Sequence, residues 1–130
     1  MEQDRLSGIY YFVDERGKNP VKDFIESFPV KERAKVFAYI SELKKQGNNL
    51  RRPMADYLED GIYELRPKDN RIFYFFYLKD NAVLVHAIKK RIREIPRSDL
   101  SLCLKRKQLV ETGYSHIEKL GAKGDLNEES

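Results

Sequence analysis

Apolar residues alternate with polar ones or run together in three short segments between residues 62 and 90, and they recur at three- to four-residue spacing elsewhere. The short segments are Ile62-Tyr63-Glu64-Leu65-Arg66, then Arg71 to Leu78, then Val83 to Ile88. Each has the length and the aromatic and β-branched content of a strand. Pro67-Lys68-Asp69-Asn70 and Asp80-Asn81 lie between them and are rich in turn-forming residues, so the three are expected to form an antiparallel meander. Arg71 to Leu78 is apolar or aromatic at nearly every position, which predicts a central strand covered on both faces.

The remaining pattern supplies the supports. Ile9-Tyr10-Tyr11-Phe12-Val13 reads as a first strand. Asn19-Pro20 is a helix start, with Asn to cap the free N–H groups and Pro preset for the first helical position. Val21, Phe24, Ile25 and Phe28 then form one apolar stripe, and Val36, Phe37, Ile40 and Leu43 form another between Lys31 and Gln46, which Gly47 is expected to stop. Leu50 to Gly61 reads as irregular, with Met54, Tyr57 and Leu58 packing one helical turn on the core. After Pro96 a last helix is expected, capped by Ser98 or Asp99 and ended by Gly113.

The predicted fold is α+β: a small antiparallel sheet, made of the N-terminal strand and the meander, packed against an N-terminal helix hairpin, with a C-terminal helix. Residues 1–113 would form one domain and 114–130 a mobile tail. One sheet face takes the hairpin, and the other is expected to remain a concave, partly aromatic, basic surface.

Charge refines this picture. The net +4 of the 130 residues is uneven. Residues 1–61 carry 11 basic and 11 acidic residues, 62–107 carry 12 and 5, and 108–130 carry 2 and 5. Basicity therefore belongs to the meander and the start of the last helix, which points to a polyanion or an acidic protein partner. No apolar run approaches a membrane span of about 20 residues, and the polar N-terminus lacks a signal peptide's apolar segment. Cys103 is the only cysteine, so an internal disulfide is excluded and a reducing cytoplasm is expected. On a helix it reads as a small buried hydrophobe.

There is no glycine-rich phosphate loop, no Cys/His metal spacing and no serine or cysteine nucleophile motif. No cofactor and no metal are expected. What the sequence offers is guanidiniums at strand ends. Arg66 and Arg71 flank one short turn and can converge, and two planar forks suit a phosphate. Lys89, Lys90, Arg91, Arg93 and Arg97 add charge where the third strand exits, and aromatics such as Tyr77 could stack on bases. For each cation the simple alternative is a solvated face, or an ion pair with Glu64, Asp69 or Glu94. Arg51-Arg52 reads as a solvated loop rather than a phosphate contact. The two histidines, His86 and His116, could act as an acid–base pair only if the fold brought them together. His86, in mid-strand, also suits a structural hydrogen bond.

The element order, Tyr63-Glu64-Leu65-Arg66, Arg71-Ile72-Phe73-Tyr74-Phe75, and Val83 to Lys90 followed by Pro96 resemble the RelE/ParE toxin superfamily, and within it the phage-related, HigB-like branch. The resemblance runs from about Ile9 to Val110 and is strongest over the meander. It implies the toxin of a type II toxin–antitoxin pair, an endoribonuclease that cleaves mRNA on the translating ribosome without metal. Its partners would be a helix-turn-helix antitoxin and, through it, operator DNA. Arg66 and Arg71 match the family's strand arginines and would bind the scissile phosphate, with Lys89 as a further catalytic candidate. Lys90, Arg91, Arg93, Arg97 and Tyr77 would bind RNA. Relatives carry a C-terminal Tyr or His at the site, and here His86, Tyr114 and His116 are the candidate acids or bases. A ParE-like inhibitor of DNA gyrase, or a relative acting only within an antitoxin complex, shares the fold.

Overall fold

The computed structural model describes residues 3–90 and 94–121. The meander is present as the middle of a larger sheet. In chain order the elements are β1 (Gly8–Val13), α1 (Pro20–Glu26), α2 (Val30–Gln46), a 3₁₀ turn (Gly47–Asn49), β2 (Ala55–Glu59), β3 (Ile62–Leu65), β4 (Asn70–Tyr77), β5 (Asn81–Lys89), α3 (Arg97–Glu111) and β6 (His116–Lys119). The six strands lie in the order β2-β3-β4-β5-β1-β6. β1 runs parallel to β5, with Tyr10 opposite Val83, and the other pairings are antiparallel.

Local chemistry sets the starts and stops. The Asn19 side chain accepts a hydrogen bond from the Lys22 backbone N–H at 3.1 Å, capping α1 as its residue type predicts. Gly47 ends α2 at φ +57°. Asp99 does not cap α3; the cap position is Pro96, and Asp99 sits in the first turn with its carboxylate turned to the sheet. The β4–β5 hairpin turns at Leu78 and Lys79, both at positive φ, so Asp80-Asn81 is not the corner and Asn81 already pairs with Tyr77.

Two strands lie outside the sequence pattern. The segment expected to be irregular holds β2, which returns to β3 through Asp60-Gly61, both at positive φ. That is the backbone a tight hairpin needs, and Asp-Gly supplies it. Beyond Tyr114, β6 pairs with the free edge of β1 and is fastened to α1 by Lys22 to Glu118 at 3.7 Å. Residues 122–130 of the expected tail lie outside the described residues, as do Arg91 and Arg93.

The core has two layers. Ile9, Tyr11, Leu65, Ile72, Tyr74 and Leu84 pack with Val21 and Ile25 of α1 and Val36, Ile40 and Leu43 of α2. On the opposite face Phe12, Ile62, Phe73, Phe75, Val83 and Val85 pack with Cys103 and Val110 of α3. The expectation of an open basic surface there is therefore corrected. Leaving those side chains in water would forgo roughly 1.5–3 kcal/mol for each large one, and α3 is the element that covers them.

One irregularity decides which side chains face α3. Phe73 pairs with His86 but Tyr74 pairs with Leu84, so Val85 is an extra residue in β5. Such a bulge shifts the alternation by one. Val83 and Val85 face α3 before it, and His86 and Ile88 face the same way after it. Arg106 of α3 donates to the Val85 carbonyl at 2.8 Å and covers the Phe12 ring at 5.0 Å. The carbonyl at the bulge thereby gains a side-chain donor.

Candidate functional site

Three adjacent strands carry polar residues toward the N-terminal end of α3. Glu64 of β3 pairs with Phe73 of β4, which pairs with His86 of β5. This row spans two strand spacings, about 10 Å. Arg66 and Arg71 lie on the same face, one step nearer the β3–β4 turn.

The two arginines converge on Glu64, as their flanking of one turn predicts. Glu64 is 3% exposed. Its Oε2 accepts from Arg66 Nη1 at 2.6 Å, and its Oε1 lies 3.8 Å from Arg71 Nε. The two guanidiniums differ in kind. Arg71 is buried, and its Nη1 donates to the carbonyls of Lys68 at 2.9 Å and Asn70 at 2.8 Å, tying down the β3–β4 turn. Burial, then the nearby Arg66 charge, lowers its pKa from the ordinary arginine value, which leaves it charged. Arg66 is partly exposed, and Glu64 is the one hydrogen-bond acceptor of its side chain among the described residues.

His86 stacks on Phe73 at 5.6 Å, and its Nε2 lies 2.7 Å from Asp99 Oδ1. Burial lowers the imidazole pKa, with Asp99 opposing and Arg106 adding to the shift. An ionised carboxylate can only accept, so the Asp99 contact assigns the proton to Nε2 and the lone pair to Nδ1. Among the described residues Nδ1 has no hydrogen-bond partner. The ring is thus neutral, oriented and able to take a proton.

The other sequence candidates are dispersed. Lys89 lies on the opposite sheet face, over the Phe28 ring at 5.6 Å and 3.8 Å from Glu32 of α2, away from Arg66, Arg71 and His86. Lys90 is half-buried at the end of β5, its backbone N–H donating to the Asp69 carbonyl at 2.7 Å. Arg97 bonds both carboxylate oxygens of Glu59 and clamps α3 to the end of β2. Tyr77 is at the far end of β4, six residues or about 20 Å from Arg71, against Phe75. Tyr114 is 82% exposed beyond α3. His116 alternates with Ile117, which packs under α3, so His116 faces the other side from His86 and the two histidines do not meet.

Sequence reading missed the parts played by Glu64, Asp99 and Arg106. Glu64 was legible as an ion-pair partner, but not as the shared acceptor. No group of three or more potential metal ligands is gathered among the described residues.

Residues 23–108 match the model of a family described as phage-derived protein Gp49-like (DUF891), which spans α1 through most of α3. No curated protein matches the sequence.

Proposed function

We propose that this chain, which belongs to the Gp49-like family and through it to the RelE/ParE-like toxin superfamily, is the toxin of a type II toxin–antitoxin pair and a metal-independent endoribonuclease of the HigB-like kind, cutting mRNA on the translating ribosome. The family is associated with RelE/ParE-type toxins, and an antitoxin is the partner this implies. The reading rests on one observation. A partly exposed guanidinium and an oriented neutral imidazole share one sheet face, with a buried second guanidinium fixing the turn beside them.

In this mechanism a phosphate takes Arg66 away from Glu64, and Arg66 stabilises the charge that builds on the phosphoryl oxygens. The RNA 2′-oxygen bonds to phosphorus and the bond to the 5′-oxygen breaks. His86 Nδ1 accepts the 2′-OH proton, held in position by Asp99, and water protonates the departing oxygen. The products are a 2′,3′-cyclic phosphate and a 5′-OH. Arg71 acts as the anchor of the site rather than as a substrate ligand.

Expression without a partner is expected to arrest growth, and Arg66→Ala to relieve it. Because Arg71 holds the turn, the single Arg66 substitution is the cleaner test. Mapping 5′ ends of cellular RNA after induction should find cuts within translated messages. Intact messages together with accumulated gyrase–DNA cleavage complexes would replace this reading with gyrase inhibition.

A further inference from the structure

The β3–β4 turn separates two cationic surfaces, and only one belongs to the site around Arg66 and His86. On the hairpin side, the start of α2, the turn and the end of β5 enclose a groove of about 620 Å³. Lys31 and Lys35 of α2, Lys68 of the turn and Lys89 of β5 line it, with Glu32 and Asp69. Glu32 is neutralised within the groove: Lys89 lies 3.8 Å away, and Asn70 Nδ2 donates to it at 3.2 Å. Lys31, Lys35 and Lys68 are exposed and have no ion-pair partner among the described residues.

We propose that this groove binds the sugar–phosphate backbone of the substrate RNA strand, beside the phosphate held at Arg66. The proposal deepens the endoribonuclease reading and rests on it. Two features favour the substrate strand. First, the free lysines supply charge without aromatic walls, which suits backbone contact rather than base reading. Second, groove and site are joined through the β3–β4 turn. Arg71 donates to the carbonyls of Lys68 and Asn70 from the α3 side, while Asn70 holds Glu32 from the hairpin side. A strand leaving Arg66 over the turn therefore meets Lys68 and then the groove. Lys89, remote from the reacting phosphate, serves here by cancelling the Glu32 charge.

The test uses the full chain and a single-stranded RNA oligonucleotide whose 2′-oxygens are methylated, so that it binds but cannot be cut. Lys31→Gln/Lys35→Gln/Lys68→Gln alters exposed residues outside the reacting site, and an unchanged unfolding midpoint confirms its fold. Affinity for the oligonucleotide should fall roughly tenfold or more, and the slope of log affinity against log salt should shrink by about two, at ~0.7 per phosphate on a single strand. Equal affinity and slope in the variant and the parent would overturn the groove and leave the RNA reading standing. Weaker binding to message-free ribosomes with unchanged oligonucleotide binding would also overturn it, assigning the lysines to ribosomal RNA. A parent chain that binds no oligonucleotide at any salt would overturn this proposal, while the endoribonuclease reading would stand or fall on the mapped 5′ ends of cellular RNA.

Discussion

Glu64 Oε1 and Arg71 Nε face each other at 3.8 Å, both buried and both without a hydrogen-bond partner, while the second carboxylate oxygen is held by Arg66 at 2.6 Å. Glu64 is thus shared unequally between a partly exposed partner and a buried one. If Arg66 leaves for a phosphate, a small shift toward Arg71 would satisfy both stranded atoms. The release of Arg66 is thereby partly compensated inside the protein.

This sharing predicts unequal costs. Glu64→Gln leaves buried Arg71 beside Arg66 with only the weaker influence of Asp69 opposing it and should destabilise the fold by about 3 kcal/mol, the lower end for a broken buried pair. Arg66→Ala leaves Glu64 with Arg71 and should cost no more than about 1 kcal/mol, since its side chain is partly exposed. Urea unfolding of the two variants measures this. Equal losses would refute the unequal sharing.

His86 predicts a pH dependence. Its folded-state pKa is depressed by burial below the ordinary value. The unfolded chain therefore binds the proton more readily, and the contribution to stability is complete above about pH 6.5. It is lost as pH falls through the folded value. Unfolding midpoints followed from pH 7.5 to 5 should decline more in the parent chain than in His86→Gln. Matching curves would remove His86 from the titration.

Arg106 is the only side chain with a hydrogen bond to the Val85 carbonyl among the described residues. Arg106→Met keeps much of the packing over Phe12 but removes that carbonyl's side-chain donor, at a cost of about 1 kcal/mol. Because the same bulge aims His86, RNA cleavage should fall further than stability alone explains. Comparing cleavage at equal folded fraction checks this; activity in proportion to folded protein would contradict it.

Gly61, at φ +85°, ends the two-residue turn from β2 to β3. A Cβ there meets left-handed strain and lies 3.1 Å from Lys107 Cε. Gly61→Ala should lower stability by about 1 kcal/mol, and by more if the lysine cannot move. A thermal midpoint equal to the parent's would show that the turn relaxes freely.

Much of this architecture was legible because it is written in local periodicity. The stripes of α1 and α2, the cap at Asn19 and the two-sided apolar run of β4 each arise from neighbours a few residues apart. β2 was also legible in principle, since Asp60-Gly61 precedes Ile62, but Pro53 and the charges of Asp56 and Glu59 obscured the strand. β6 is short and polar and gains its place from the open edge of β1, not from its own pattern. The covered second face was hidden because a helical stripe does not name the sheet it meets. In the site, Arg66 and Arg71 could be paired from their common turn. Strict alternation gives no hint of the bulge at Val85, and the Arg97–Glu59 contact joins residues 38 apart. Asp99 suits a helix cap equally well, so only the packed helix shows that it reaches His86.

The parallel pairing of β1 with β5 also orders the protein's birth. Tyr10 is made well before its partners on the two sides, Val83 and Lys119, which are synthesised roughly seventy and more than a hundred residues later. Local turns and helices can form as the chain emerges, whereas long-range closure must wait for those partners. The sheet bearing Arg66, Arg71 and His86 is therefore completed only after Lys119 has been made. Until then β1 offers unpaired backbone on both edges, and a nascent chain of this kind is at once unfinished around Arg66 and His86 and most open to capture by another strand.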